Sequence, residues 1–389
     1  MKKNTINRAM WKYVDWFLII IICLIFLYGL VSLLNATASP FTGDESTLAA
    51  IYENLNLGSA QWQIIFFGIG IGAMFLIMLI DYQTLRGLTD YMYWLAVGML
   101  VLVLAFGSEQ NGASGWFMVG GRGIQPAEYG KIVIIIVLAK VLADKTQGHD
   151  EGIRHFRDIW PALWRFAIPA VLIMAQPDWG TAMVYAVVFI IMLFMAKTSW
   201  KVMLLLLVIA AACIPLLYLI MDEYQKLRFV TFLNPELDPE GAGLQVAQAK
   251  MAIGSGGMFG KGLFAPGSMS QLDYVPEKHN DFIFAVTIEA FGMVGGILLI
   301  VLYLVLIVRT FMLAARAKDD FGSYIIIGVA AMTLFHVVEN IGMNLGVLPV
   351  TGIPLPFFSY GGSNLLTNMI AYGMVLSVDM RRTRWITKK

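Results

Sequence analysis

Residues 283–308 read IFAVTIEAFGMVGGILLIVLYLVLIV, and residues 16–34 read WFLIIIICLIFLYGLVSLL. The first stretch contains one charged residue and the second contains none. A helix needs about 20 mostly apolar residues to cross a bilayer, so both stretches predict membrane-spanning helices. Hydrophobic residues make up 59% of the 389-residue chain and charged residues 14%, against about 45–50% and about 25% in soluble domains. The chain is therefore predicted to be an all-α polytopic membrane protein.

Eight further apolar runs bring the prediction to about ten transmembrane helices in a single domain, residues 1–389. The run at 16–34 is too long for a signal-peptide core, so we interpret it as an uncleaved helix. The ten predicted spans are 16–34, 62–80, 91–106, 128–143, 161–175, 182–196, 202–220, 283–308, 323–345 and 364–378.

The distribution of basic residues predicts the orientation of these spans. A cytoplasmic N-terminus assigns 20 of the 27 Lys and Arg residues to cytoplasmic segments. An even number of spans then places the C-terminus in the cytoplasm as well. The segment 221–282 between spans seven and eight becomes a large extracytoplasmic loop.

Composition also excludes several functions. A formal net charge of +1 gives no basic surface for nucleic acid. Cys23 and Cys213 both lie within apolar runs, so neither a disulfide framework nor a cysteine metal site is expected. The four histidines show no metal-ligand spacing, and no metal site is predicted.

Four polar stretches stand out, and the predicted orientation places all of them on the extracytoplasmic side. In the first, 123–131, Pro126 suits the first turn of a helix, which puts Glu128 and Lys131 on one face. They form either a structural ion pair or part of a site, since charges at membrane depth are costly. In the second, 176–181, Asp178 is predicted to cap the following helix in preference to a catalytic role.

The third polar stretch is the loop 221–282 itself. Its glycine-rich part, 254–262, lacks the residues of a phosphate-binding P-loop and favours close backbone packing or a hinge. The loop ends at Asp281, immediately before an apolar span, where burial raises the pKa of a carboxyl group. Asp281 is either a general base or an acid that stabilises the helix N-terminus. Glu289, eight residues on, is predicted to share its face.

The fourth stretch, 351–364, reads TGIPLPFFSYGGSN and contains no charge. It predicts a rigid re-entrant turn, which is tolerated at membrane depth only where protein or water satisfies the backbone. Neither Ser359 nor Ser363 has a His and Asp partner in sequence, so nucleophilic catalysis is not expected.

These stretches resemble the motifs of the SEDS family (shape, elongation, division, sporulation). The resemblance rests on QPAEYGK (125–131), QPDWGT (176–181), PEKHNDFIFAV (276–286), NIGMNLGVLPVTGIPLPFFSYGGS (340–363) and the stretch 234–262, which occur in the order typical of the family. The segments AKMAIGSGGMFGKGL and TGIPLPFFSYGG are most similar to the elongation members, although a division-type member stays open.

The resemblance implies a peptidoglycan glycosyltransferase that polymerises lipid II at the outer face of the bacterial cytoplasmic membrane, for cell elongation and rod shape. It implies a class B penicillin-binding protein transpeptidase and other elongation-complex membrane proteins as partners. It requires no built-in cofactor, although Mg²⁺ or another divalent cation can accompany the substrate diphosphate.

The resemblance also assigns roles to individual residues. Asp281 is the predicted general base. The predicted substrate-binding residues are Glu128, Lys131, Lys250, Lys261, His279 and Glu289, and the predicted structural residues are Asp178, Pro354, Pro356, Ser359, Gly361 and Gly362. Two other functions stay open: a lipid II flippase, which would need polar groups through the full membrane depth, and a noncatalytic scaffold.

Overall fold

The computed structural model describes residues 8–39, 55, 57–110, 113–119, 122–146, 152–221, 223–234, 238 and 241–382. These residues form an almost entirely helical protein that begins with a short 3₁₀ helix, Arg8–Tyr13. The α-helices are α1 (Trp16–Thr37), α2 (Leu57–Leu79), α3 (Tyr82–Phe106), α4 (Pro126–Thr146), α5 (Phe156–Met174), α6 (Trp179–Met195), α7 (Trp200–Ile220), α8 (Glu223–Leu233), α9 (Ala242–Gly256), α10 (Ile283–Ala314), α11 (Asp320–Asn344) and α12 (Gly362–Met380).

Each of the ten predicted spans coincides with one of these helices. Five helices of the described chain, α1, α2, α3, α10 and α11, are long and apolar enough to cross a bilayer, and α6 and part of α7 are shorter apolar helices. The prediction of a helical multi-pass membrane protein is thereby confirmed. The number and orientation of the crossings stay predictions.

The centre of the bundle is formed by α4, α11 and α12, whose side chains are mostly buried. Helix α11 packs against α4, α6, α10 and α12, while α12 packs along α2. Because α4 is enclosed by neighbouring helices, Glu128 and Lys131 can lie at its buried end without facing lipid.

Two features of the segments predicted to be extracytoplasmic were not expected from the sequence. A small antiparallel sheet precedes α4, with strands β1 (Ser108–Gln110), β2 (Ala113–Val119) and β3 (Arg122–Ile124) in that order. The predicted loop 221–282 contains helices α8 and α9, followed by a turn-rich segment that leads into α10.

Helix α10 is kinked at Gly292, which has φ +72° and ψ −172°. An ideal Cβ at this position would lie 2.3 Å from the carbonyl oxygen of Met258, so only glycine fits. The kink breaks the helical hydrogen bonds, and backbone hydrogen bonds with the glycine-rich stretch 257–262 replace them. The bonds run from Lys261 N to Glu289 O, Gly262 N to Ala290 O, Met293 N to Gly257 O and Val294 N to Met258 O, at 2.9–3.2 Å. Close backbone packing, one of the two predicted roles of this stretch, is therefore observed.

Candidate active site

A cavity of about 460 Å³ lies at the end of the bundle where α4, α6, α10 and α12 begin and α11 ends. All four polar stretches contribute to its wall, so segments distant in sequence meet in one place. The predicted site residues that line it are Glu128, Lys131, Asp178, Asp281, Pro354, Gly361 and Gly362.

Asp281 lies just before α10, and its backbone is fixed by α11. Its carbonyl oxygen accepts a hydrogen bond from Asn340 Nδ2 and another from Asn344 Nδ2, each at 2.9 Å. Its carboxylate, in contrast, receives no hydrogen bond within the described part of the chain. Opposite the carboxylate lies Gly352 (φ +75°), where an ideal Cβ would be 3.4 Å from Oδ2 of Asp281. The arrangement holds the backbone rigidly and leaves the carboxylate accessible from the cavity.

The surroundings of Asp281 change its proton affinity. Burial raises the pKa of the Asp281 carboxyl group from 3.8 to about 7; the negative charge of Glu277 adds to the increase, and the positive charge of Arg228 opposes it. A carboxyl group with this pKa exchanges protons near neutral pH. An open carboxylate of matched proton affinity is what a general base requires.

The stretch 351–364 supports the segment that carries Asp281. Ser359 Oγ donates to the carbonyl oxygen of Asn280 at 2.8 Å and accepts from the backbone N–H of Leu355 at 2.9 Å. The backbone N–H of Tyr360 donates to the carbonyl oxygen of His279 at 3.0 Å. Ser359 therefore joins two backbone segments, in keeping with its predicted structural role.

The prolines and glycines of this stretch are fixed by the surrounding helices. The Tyr303 hydroxyl donates to the carbonyl oxygen of Pro356 at 2.7 Å, and the Gly361 N–H donates to Oε1 of Gln63 at 3.3 Å. Pro354 faces the cavity. These contacts satisfy the irregular backbone inside the protein, as a re-entrant turn requires.

Lys131 occupies the inner wall of the cavity within a buried polar cluster. Its ammonium donates to Glu128 Oε1 at 2.6 Å and lies 3.0 Å from His336 Nε2. His336 Nδ1 lies 2.7 Å from the carbonyl oxygen of Met332, which needs a proton on Nδ1 and leaves Nε2 to accept from Lys131. Asn364 Nδ2 donates to the other carboxylate oxygen of Glu128 at 3.3 Å. The predicted ion pair is formed, and it holds one cationic group at the cavity.

Asp178 is the N-cap residue of α6, the structural role that its turn predicts. Oδ1 accepts from the Thr181 N–H at 3.0 Å, and Oδ2 accepts from Gln125 Nε2 at 2.6 Å. Burial raises the pKa of the Asp178 carboxyl group, and the bond from the Thr181 N–H partly offsets the increase. Since both oxygens are engaged, Asp178 joins the starts of α4 and α6.

Four predicted substrate-binding residues lie outside the wall of this cavity. Lys261 pairs with Glu289 at 3.0 Å, away from the cavity. Lys250 lines a smaller cavity nearby. His279 packs beside Tyr360, with ring centroids 6.0 Å apart, and burial lowers the pKa of its imidazole. The structure therefore does not place these four residues in the wall of the cavity that Asp281 lines.

Sequence reasoning missed several residues of this site. Arg228 and Gln225 of α8 line the cavity, and Gln225 ties α8 to the Asp178 turn through bonds to Trp179 Nε1 (2.5 Å) and the carbonyl oxygen of Pro177 (3.1 Å). Nothing in the polar sequence of α8 distinguishes these side chains from a solvated helix face.

A signal for the missed residues of α11 was available. His336, Asn340 and Asn344 recur at a spacing of four within a mostly apolar span, which places them on one helix face. Polar residues aligned within a span indicate a buried functional surface. In the described part of the chain, no group of three or more His, Cys, Asp or Glu side chains is arranged to hold a metal ion.

Comparison with known proteins identifies the family. Residues 15–384 match the model of the cell cycle protein family that comprises FtsW, RodA and SpoVE. Peptidoglycan glycosyltransferase MrdB of Escherichia coli K12 is 38% identical over 328 residues, which cover 84% of this chain and 87% of MrdB.

Two solved structures share the fold. A chain from a peptidoglycan synthase complex, described for its coordination of polymerization and crosslinking, matches with a TM-score of 0.77 and 29% identity, covering 95% of this chain and 99% of that one. The rod shape determining protein RodA of Thermus thermophilus matches with a TM-score of 0.67 and 28% identity, covering 95% and 98%.

Fold and site thus define a multi-pass helical membrane protein with a polar, carboxylate-containing cavity at one end of its bundle. The chain belongs to the FtsW, RodA and SpoVE family. The family and the enzyme class predicted from the sequence are confirmed, because the relatives carry the name peptidoglycan glycosyltransferase.

Proposed function

We propose that this protein polymerises lipid II into glycan strands at the extracytoplasmic face of the bacterial cytoplasmic membrane, with Asp281 as the general base. One observation carries the proposal. The Asp281 carboxylate faces a polar cavity and accepts no hydrogen bond from the described residues, while two asparagines fix its backbone. The likeness to the rod shape determining protein RodA supports a role in cell elongation.

The reaction joins two lipid-linked disaccharides. The 4-hydroxyl oxygen of the acceptor GlcNAc forms a bond to C1 of the donor MurNAc, and the bond between C1 and the phosphate oxygen breaks. The hydroxyl proton passes to the Asp281 carboxylate, and undecaprenyl diphosphate leaves. A pKa of about 7 for Asp281 suits both the uptake of this proton and its later release.

Negative charge develops on the departing diphosphate and needs a positive partner. Lys131 and Arg228 both line the cavity. The ammonium of Lys131 is held in place by Glu128 and His336, so it needs little reorganisation during the reaction. A divalent cation would be bound mainly by the substrate phosphates, because the described side chains offer no cluster of three metal ligands.

The likeness to a chain of a peptidoglycan synthase complex, described for its coordination of polymerization and crosslinking, supports a transpeptidase partner. We expect a class B penicillin-binding protein to contact the extracytoplasmic side, with other elongation-complex membrane proteins around the bundle. Such a partner would place the crosslinking site close to the emerging strand.

The test is polymerisation by the purified protein together with its cognate transpeptidase. Lipid II is supplied with a divalent cation, and glycan strands are detected on gels for the wild type, Asp281→Ala and the control Asp144→Ala. Asp144 is an exposed carboxylate near the end of α4. It pairs with Arg86 near the start of α3, at the end of α4 that lies away from the cavity. We expect strands from the wild type and the control only. Strands from Asp281→Ala would refute Asp281 as the base.

The same preparation tests the rival function. If neither the wild type nor the control makes strands, lipid II translocation is assayed in vesicles. Translocation that depends on Lys131 would favour a flippase, because the cluster of Lys131, Glu128 and His336 extends the polar surface into the bundle. Normal growth of cells that carry Asp281→Ala would instead favour a scaffold.

A further inference from the structure

A second, smaller cavity lies beside the reaction cavity. It has a volume of about 60 Å³ and lies between α8, α9 and the turn that follows α11. Its wall shares Arg228, Pro349 and Val350 with the larger cavity. One water molecule needs roughly 10–15 Å³ of such space, so a group the size of a phosphate has room here.

The wall of the second cavity carries positive charge. Arg228 and Lys250 both line it, and none of its described lining residues is acidic. The side chain of Lys250 lies against Gly346, just beyond the end of α11. Gly243, also in the wall, belongs to the first turn of α9, where backbone N–H groups lack helical partners and attract anions.

One acidic residue of the described chain, Asp238, lies just before α9. Asp238 accepts a hydrogen bond from the backbone N–H of Gly241, at 3.0 Å, just before α9 begins. Asp238 does not line the small cavity.

Thr231 gives independent evidence that this cavity binds a polar group. The residue is only 3% exposed and lines the cavity, yet its hydroxyl has no hydrogen-bond partner within the described part of the chain. A helical threonine commonly donates to the carbonyl one turn earlier. A buried hydroxyl without a partner costs free energy, which a ligand with acceptor oxygens would recover. Thr231 and Arg228, three residues apart on α8, lie on the same face.

We propose that this cavity is a subsite for a phosphate group, held by Arg228, Lys250 and Thr231. The inference rests on the proposed function, because the phosphate group that enters from the reaction cavity would belong to the lipid-linked diphosphate. The headgroup of an anionic phospholipid has the same chemistry and is the other source. Arg228 borders both cavities, so a diphosphate that spans them would place the sugar near Asp281.

Binding of undecaprenyl diphosphate tests the subsite without turnover. The protein is placed in phosphatidylcholine nanodiscs, and every version carries Asp281→Asn to prevent turnover. Dissociation constants for this background are compared with those of versions that also carry Lys250→Met, Thr231→Val or Thr231→Ser. Lys226→Met is the control: this lysine lies two residues before Arg228, outside both cavities, with its ammonium 5.8 Å from the Tyr218 ring centroid. A second series replaces the probe by phosphatidylglycerol.

We expect Lys250→Met to weaken undecaprenyl diphosphate binding about tenfold and Thr231→Val several-fold, with Thr231→Ser and Lys226→Met close to wild type. A loss confined to phosphatidylglycerol would support the subsite and assign it to phospholipid. Unchanged binding of both probes, in variants with wild-type melting temperatures, would overturn it. Because binding is measured without catalysis, this outcome differs from a failure of the proposed function, which shows as absent glycan strands.

Discussion

Asp281 and Glu289 are acidic residues eight positions apart at the same end of α10, but their environments are opposite. Glu289 is 1% exposed, and its oxygens accept from the backbone N–H groups of Met269 (2.7 Å) and Ser270 (2.9 Å) and from Lys261 Nζ (3.0 Å). Asp281 has a firmly bound backbone and an open carboxylate. Hydrogen bonding thus separates an acid whose carboxylate is fully engaged from one whose carboxylate is open to the cavity.

The two environments have different energetic consequences. The hydrogen bonds and the ammonium at Glu289 offset the cost of burying its charge. At Asp281 no hydrogen bond to the carboxylate offsets that cost and Arg228 offsets it only in part, so the proton affinity rises and the pKa reaches about 7. Burial of an ionised Asp281 therefore costs stability at the residue that we propose as the general base. The comparison predicts that changes at Asp281 alter catalysis and that changes at Glu289 alter folding.

The largest effect is expected for Asp281→Asn. The substitution keeps the shape of the side chain and removes the proton acceptor, so the rate of polymerisation should fall by about 10²–10⁴-fold. The melting temperature should stay the same or increase at pH 8, where the wild type must hold a buried charge. Strand synthesis on gels and thermal unfolding in detergent check both results. A variant that loses activity only because it unfolds would contradict the assignment.

Glu289→Ala should have the converse effect. Removing this buried partner leaves Lys261 and two loop N–H groups without their acceptor, which costs about 3–5 kcal/mol of unfolding free energy. Polymerisation per folded molecule should remain within about threefold of wild type, as measured at a temperature where the variant is folded. Glu289→Gln, which retains an acceptor oxygen, is the milder control. Loss of activity per folded molecule would restore the substrate-binding role that the sequence predicts.

The sequence was sufficient for the ten helices that coincide with predicted spans, because apolar runs of bilayer length are a direct signal of a span. Its position before a span and its family motif also single out Asp281, and the structure places this residue in the cavity wall. The sequence was insufficient for Glu289: an i+8 spacing predicts a shared face only within one helix, and α10 begins at Ile283, after Asp281. The position of Lys261 likewise depends on the kink at Gly292. A single glycine within a helix is not enough to predict such a kink.

Residues on α8 could not have been assigned from sequence. Arg228 reaches the cavity because Gln225 docks α8 onto the turn that holds Asp178. This contact joins residues 46 and 48 positions apart through a side chain with no distinctive pattern. The small sheet β1–β3 was missed for a similar reason, since its strands are short and interrupted by glycines.

The asparagines behind Asp281 provide a smaller, sharper test of rigid positioning. Asn344→Ala removes one of two hydrogen bonds to the Asp281 carbonyl and the acceptor for the Ala285 N–H. We expect kcat to fall about tenfold with little change in KM, because the carboxylate loses orientation but the cavity keeps its charges. Asn340→Ala should act similarly. An increase in KM at constant kcat would instead show that these residues serve substrate binding.

The smallest expected effect is a change in pH dependence. Polymerisation should rise with pH and reach half its maximum near pH 7, since Asp281 must be deprotonated to act as the base. Glu277→Gln removes a negative charge that raises the pKa of Asp281, so the midpoint should move to lower pH, while Arg228→Gln should move it to higher pH. Glu289→Gln, which affects neither neighbour, should leave it in place.

Stability should depend on pH in the opposite sense to activity. The folded protein binds the Asp281 proton more tightly than the unfolded chain, because the folded pKa is about 7 and the ordinary value is 3.8. The free energy of unfolding contributed by this group is therefore greatest at low pH and is lost as the pH rises through 7. Thermal unfolding of the wild type and Asp281→Asn at pH 5.5 and pH 8 measures this difference. If the two proteins lose stability equally between these pH values, Asp281 is already ionised in the folded protein, and the contrast with Glu289 disappears.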